Sequence, residues 1–465
     1  MPGRQTIDAP AKMGVNEETP MNAVVLAVLV MMALSLSRVP VVLALILSAA
    51  IGGIYAGMSP EAVVQAFNGG LGAGAPVALA YATLGAFAIA LSRTGIVQGL
   101  SGRMVGYIQH GGHSERMLRV VKWSLLACLV LAGFASGTVI PVHIAFIPIL
   151  VPPLLLVMNR LQLDRRAVAC AITFSITVMY MTMPIGFGAI FLNDILVGNI
   201  NKAGAASGFQ VGLSAAPLAM LIPASGMVFG LALALLFSYR RRRSYQDVAV
   251  TGGEHGSVKL GPWQRVSIGA ALLLSLLAQL WTGSMVFGGL VGFALISGSG
   301  VMRWTELDSH FTQGMRLMAQ VGFIMIAAAG FASVMNASGD VQSLVRSSVA
   351  LIGDNRALAA FMMLLVGLLI TMGIGSSFST VPIIASIYVP LALGFGFSEL
   401  AIVSLVGTAA ALGDAGSPAS DSTLGPTAGL NADGQHDHMW GTVVPTFLHF
   451  NLPLLGFGWA AAMLL

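Results

Sequence analysis

Residues 413–423 read Gly-Asp-Ala-Gly-Ser-Pro-Ala-Ser-Asp-Ser-Thr and lie inside one of the most apolar regions of the chain. Two carboxylates, Asp414 and Asp421, stand among the hydroxyls of Ser417, Ser420, Ser422 and Thr423, and Pro418 breaks any helix that runs through them. Carboxylate, hydroxyl and freed carbonyl oxygens suit sodium, a proton or an ammonium group. An ionised side chain at mid-bilayer depth costs roughly 2.5 to 3.5 kcal/mol on insertion scales, so two aspartates there point to a cavity that binds something.

A second polar cluster has the opposite chemistry. Ser376, Ser377, Ser379 and Thr380 precede Pro382, and a half-helix that starts at this proline would turn free N–H groups toward an anion. A substrate carboxylate fits such a terminus. Thr138 and Pro141 offer a thinner version earlier in the chain, followed by His143, and Pro184 with Gly186 makes a further break in Met-Pro-Ile-Gly-Phe-Gly. These residues are the expected substrate frame.

Other polar residues carry less. Any one Ser or Thr in a membrane helix can bond back to its own helix, and a lone histidine such as His143 is as often a satisfied packing residue. Asp194 beside Asn193 reads as a membrane-surface charge. His436, Asp437 and His438 read as a solvated loop, with Asn431 and Asp433 placed to cap or close the site nearby. His449 and Asn451 near the last helix can face either the interior or the headgroups. No EF-hand spacing, His-Glu-x-x-His helix or Gly-x-Ser-x-Gly elbow occurs, so neither a resident metal nor an enzyme is expected. Cys128 and Cys170 read as packing.

The elements that position these residues follow from composition. Of 465 residues, 56% are hydrophobic and 9% charged, with a mean hydropathy of +0.87, which excludes an ordinary soluble domain. Apolar stretches recur from Met21 to Leu465, giving about 11 to 14 crossings or half-crossings of an inner, cell membrane. The net charge of +4 resides in short loops, above all Arg240, Arg241, Arg242 and Arg243, so it marks cytoplasmic loops and not nucleic-acid binding.

The chain also repeats itself. Gly-x-Val-Gln-x-Leu occurs at 95–100 and 339–344, hydroxyl-rich segments lead into Pro141 and Pro382, and Pro184 pairs with Pro418 at a nearly constant separation. The loop at 93–122 is rich in Arg and Lys while the one at 340–356 is balanced, which puts equivalent loops on opposite faces. The expected organisation is a polar tail at 1–20, a first transmembrane half at 21–243, a cytoplasmic linker at 244–261 and a second half at 262–465. Paired broken helices in inverted repeats point to a midplane site.

The stretch from Gly413 to Thr423, with Asn431-Ala-Asp-Gly-Gln-His-Asp-His438 and Pro445-Thr-Phe-Leu-His449, resembles the signature of NhaC-type sodium/proton antiporters, and within them the YuiF-like branch of predicted histidine and amino-acid permeases. The resemblance implies the fold of the ion transporter superfamily: an all-α polytopic membrane protein of two inverted-topology repeats, each with a re-entrant hairpin and an interrupted helix, often dimeric. It assigns the site to Asp414, Ser417, Ser420, Asp421 and Thr423. Many relatives carry Gly-Asp-His where this chain has Ala415, which argues against proton exchange at that position. The expected function is a secondary permease for an amino acid, histidine preferred, with Na+ or H+ as coupling ion. The alternative is a Na+/H+ antiporter without organic substrate.

Overall fold

Helices in this chain start and stop where side chains can replace the backbone partners that a helix end lacks. The structure, a computed structural model, describes residues 21–37, 39–94, 115–138, 146–185, 187–248, 261–340, 343 and 355–465, and among these every regular element is helical. Asn22 accepts the Val24 N–H at 2.9 Å to open α1 (Ala23–Leu36), and Asp164 and Asn355 do the same for α6 (Arg165–Thr182) and α12 (Arg356–Ile374).

Two series of helices follow the same order. The first contains two short apolar helices, α1 and α2 (Val41–Tyr55), then the long α3 (Pro60–Arg93), α4 (Glu115–Thr138), α5 (Phe146–Arg160), the bent pair α6 and α7 (Phe187–Gly204), and α8 (Leu221–Ser238). The second contains α9 (Pro262–Thr282), α10 (Met285–Gly298), the long α11 (Leu307–Ala337), α12, α13 (Ser377–Gly394), the interrupted pair α14 (Glu399–Ala411) and α15 (Asp421–Leu430), and α16 (His438–Leu464). Their packing corresponds: α2 lies on α11 as α10 lies on α3, and α5 lies on α15 as α13 lies on α7.

Equivalent helices meet antiparallel, as a two-fold axis in the membrane plane requires. Gly70 of α3 lies against Ala329 and Ser333, Gly74 against Met325 and Ile326, and Gly85 against Gly314, so residue numbers fall along α11 as they rise along α3. Gly226 of α8 meets Phe457 and Gly230 meets His449 in the same sense. The repeats are therefore inverted. Small residues let the two long backbones touch, the usual device where lipid removes any hydrophobic drive for helix association.

This contact carries a prediction. A Cβ on Gly314 would lie 2.3 Å from the Ala86 backbone nitrogen, whereas one on Gly269 of α9 meets nothing within 4 Å. Gly314→Ala should cost about 1 to 3 kcal/mol through overpacking, while Gly269→Ala should be neutral or stabilising. Thermal unfolding in detergent separates the two.

Among the described residues, six helices are long and apolar enough to cross a membrane, or up to seven if the bent pair is one span, alongside shorter apolar helices. The chain is a multi-pass membrane protein. The main core runs from α1 through α16, and a satellite core joins Phe87 and Leu91 of α3 to Ile268, Ala271 and Ile296 of α9 and α10. The Gly-x-Val-Gln-x-Leu match at 95–100 and most of the linker lie outside the described residues.

Candidate functional site

The interrupted helices of the two halves pack side by side. In the second half, α14 ends in a loop where Gly413 adopts φ +85° and a Cβ would sit 2.7 Å from the Met372 nitrogen, so only glycine lets the chain turn against α12 there. Gly375, at φ +72°, closes α12 against the Ala419 carbonyl in the same way. In the first half, α6 and α7 are bent by 56° around residues 183–186. Helix α6 runs antiparallel to the 414–433 segment, held by three contacts: Tyr180 to Asp414, Thr173 to the Ser422 carbonyl at 2.7 Å, and Arg165 to the Leu430 carbonyl at 2.9 Å.

Asp414 is the centre, 5% exposed. Its Oδ2 accepts from Tyr180 Oη at 2.6 Å, Ser422 Oγ at 3.3 Å and Ser377 Oγ at 3.4 Å, and its Oδ1 accepts a short bond from Ser420 Oγ. Four hydroxyls, from α6, α13, the break and the first turn of α15, thus surround one carboxylate. A hydroxyl both donates and accepts, so these groups can solvate the bare anion and turn their lone pairs to a cation when one arrives.

Asp421, the first residue of α15, takes a hydrogen bond from Tyr81 of the long helix α3 at 2.8 Å. It ties the interrupted helix to the α3–α11 pair. Ser417 donates to the Met372 carbonyl at 3.0 Å and accepts the Ala419 N–H at 3.1 Å, while Thr423 donates to the carbonyls of Ser417 at 2.6 Å and Ser420 at 3.0 Å. These two hydroxyls hold the loop's shape. Asn451 of α16 accepts the Gly413 N–H at 2.9 Å, and its buried Nδ2 donates to no protein atom, leaving a donor beside the break.

The hydroxyl cluster at 376–380 touches the carboxylate group directly. Helix α13 begins at Ser377, and Ser376 makes no side-chain bond to its first turn, so that turn's amides remain without a cap. Pro382 lies inside α13 and does not start it, because the serines open the helix earlier and a membrane helix tolerates the lost bond. Thr380 bonds back to the Ser376 carbonyl at 2.9 Å. Pro184 is exposed in the first break; Pro141, His143, Gly186 and the side chains of Thr138 and Ser379 lie outside the described residues.

An aromatic wall that the sequence reading did not single out closes one side. Phe378 of α13 stacks with Phe187 at 4.6 Å and Phe191 at 5.3 Å between ring centres, and Tyr180 meets Phe191 at 4.7 Å. Rings around an acid create a surface for a cationic or aromatic group.

The segment 431–438 is only in part the solvated loop that its polarity suggests: Asn431, Gly434 and Asp437 are exposed, whereas His436 and His438 are buried. Arg165 and Asp433 form a buried two-pronged ion pair at 2.6 and 2.5 Å, with Arg165 also over the Tyr245 ring, and His436 and His438 are buried behind it. Burial alone would raise the Asp433 carboxyl, yet Arg165 outweighs it and holds the group below its ordinary 3.8. Burial, then the nearby Arg165 charge, pushes the His436 imidazole down to about 3.

Both shifts make the fold acid-sensitive. Between 6.5 and about 3 the unfolded chain protonates His436 and the folded chain does not, so stability is full above pH 6.5 and falls as pH drops through that window. The Asp433 contribution is full above 3.8 and is lost below it. We expect unfolding free energy to fall on acidification from pH 6.5 to 5, by up to about 1.4 kcal/mol per pH unit from this histidine, read as a lower melting temperature. His436→Gln should flatten that slope.

Inverted repeats whose broken helices meet at a buried, hydroxyl-ringed carboxylate define a membrane transporter. The sequence profile described as the Na+/H+ antiporter family matches residues 171–459, and a second, described as a Na+-H+ antiporter family, matches residues 22–108. The chain belongs to the Na+/H+ antiporter family. It is 53% identical over 445 residues to an uncharacterized membrane protein of Vibrio parahaemolyticus, covering 96% of this chain and 100% of that one. It is 50% identical over 448 residues to an uncharacterized membrane protein of Haemophilus influenzae, covering 96% and 99%. It is 48% identical over 454 residues to YuiF of Bacillus subtilis, named as a candidate amino acid transporter, covering 96% and 100%.

Proposed function

We propose that this chain is a secondary active transporter for an amino acid, histidine preferred, coupled to Na+ or H+, and that Asp414 is the group at which the coupling cation or the substrate ammonium binds. The observation that carries this reading is the composition of the site: one buried carboxylate, four hydroxyls and an aromatic wall, beside a helix start whose first-turn amides have no cap. An amino acid needs an anion for its ammonium and amides for its carboxylate, and an imidazole side chain suits the rings of Phe378 and Phe187. The relationship to YuiF supports the same substrate class.

A Na+/H+ antiporter without organic substrate is the second reading, favoured by the family and by the purely oxygen surroundings of Asp414. Uptake of labelled histidine into liposomes, competed by other amino acids and repeated with sodium or pH gradients, tests the first. Gradient-driven uptake supports it. Sodium-dependent alkalinisation with no amino acid moved under any gradient gives the function to the second reading.

A further inference from the structure

A second polar region lies away from Asp414, at the face that carries Arg160, Arg166 and the arginines at 240–243, which the positive-inside rule places in the cytoplasm. Gln435 and Gln246 hold each other there through two 2.8 Å bonds, so the 431–438 segment belongs to the same face. Between this segment and the α1–α2 turn lies a cavity of about 530 Å3, within the range of small-molecule pockets. Pro40, Asn431, Gly434 and Asp437 line it and are exposed, so it opens to solvent on that face.

One wall is built to receive an anion. Helix α2 starts behind Pro40 with no side-chain cap and no acidic residue in its first turn, so the amides of Val41, Val42 and Leu43 have no partner inside the helix. Pro40 and Val41 line the cavity, which puts the positive dipole end of this 15-residue helix against it. Ser35, at the end of α1, lines the same cavity. It is 0% exposed, and its Oγ makes no hydrogen bond to any described protein group. A serine in an apolar helix ordinarily bonds back to the preceding turn, as Ser48 of α2 does to the Leu45 carbonyl at 3.1 Å. Ser35 does not, and a buried hydroxyl without a partner is costly unless a ligand supplies one.

The other wall carries the opposite charge. Asp437 accepts the Trp440 N–H on Oδ1 at 2.6 Å as the cap of α16, which leaves Oδ2 for another donor. Among the described lining residues Asp437 is the one carboxylate, and there is no lysine or arginine. Both ring nitrogens of His438 are taken, by Thr427 and by the Pro418 carbonyl. Val39, Val41 and Met439 add apolar surface. A simple anion would face the Asp437 charge uncompensated, and a simple cation would face the helix dipole. A molecule that carries both charges satisfies both walls.

We infer that this cavity is a second amino-acid site, at the cytoplasmic face and separate from Asp414. The α-carboxylate takes the α2 amides and the Ser35 hydroxyl, the α-ammonium takes Asp437 Oδ2, and the side chain lies on the apolar surface.

The choice of histidine as probe rests on the amino-acid reading above. In maltoside detergent, Val39→Cys combined with Cys128→Ala, which removes the exposed native thiol, should react with a charged maleimide, and histidine should protect it saturably. Histamine, which lacks the carboxylate, and imidazolepropionate, which lacks the ammonium, should need roughly ten- to a hundred-fold higher concentrations. Ser35→Ala deletes a hydroxyl that has no partner, so the fold should stand while histidine protection weakens by roughly the same factor. Asp437→Asn keeps a helix cap, loses the charge and should weaken it too. Asp414→Asn should leave protection unchanged. Should Val39→Cys fail to label, equilibrium dialysis of labelled histidine decides: two bound per natural chain, one in Ser35→Ala and one in Asp414→Asn.

Protection that disappears in Asp414→Asn, or that histamine gives equally well, overturns the second site. So does protection that needs no amino acid and appears on adding phosphatidylethanolamine, which gives the cavity to a lipid headgroup with the same pair of charges. Histidine uptake into liposomes without protection overturns this site and leaves the transport reading standing. Protection without uptake under any gradient does the reverse.

Discussion

Asp414→Asn is expected to abolish ion-coupled transport in a protein that still folds. The amide is nearly the same shape, and the hydroxyls of Tyr180, Ser377, Ser420 and Ser422 can turn to accept from its NH2 as well as donate to its oxygen. What disappears is the charge. Removing one partner of a desolvated ionic contact costs about 3 to 5 kcal/mol, so cation affinity should fall by roughly a hundred- to several-thousand-fold. Tyr180→Phe removes one donor of four and should cost about 1 to 3 kcal/mol, a far smaller loss. Sodium-dependent thermal shifts and counterflow in liposomes measure both. If Asp414→Asn retained coupled flux within a few-fold of the natural protein, Asp421 would be the better coupling residue.

Asp414 and Ser377 were legible in the sequence because polarity inside apolar sequence is rare and because Gly413, Gly375 and Pro418 announce broken backbone. Tyr180 and Tyr81 were not, since a tyrosine in an apolar helix looks like any large packing residue until its hydroxyl is given a partner. One signal was available: Pro184 follows Tyr180 at the same spacing as Pro418 follows Asp414, so the repeat places the donor and the carboxylate at equivalent positions. The broken-helix fold and its inversion could be read from breaks and loop charge. The burial of the Asp433, His436 and His438 side chains could not, because the partner of Asp433 is Arg165, supplied by α6 from 268 residues away.

That ion pair carries the other large prediction. Arg165 is 0% and Asp433 1% exposed, and the guanidinium also reaches Asn159 at 3.1 Å and caps the end of α15 at Leu430. Arg165→Met alone strands a buried carboxylate, and Asp433→Leu alone strands a buried guanidinium; each should cost about 3 to 5 kcal/mol. The double variant removes both charges and should regain most of that loss, since apolar replacement of a buried pair is often neutral. Thermal unfolding of the two singles and the double in detergent gives the coupling directly. Additive losses would mean that the two charges do not sense each other. If the double variant is stable yet transports slowly, the pair's role is geometric: it fixes where α15 ends relative to α6, and through Thr173 and Tyr180 the same helix fixes where the carboxylate stands.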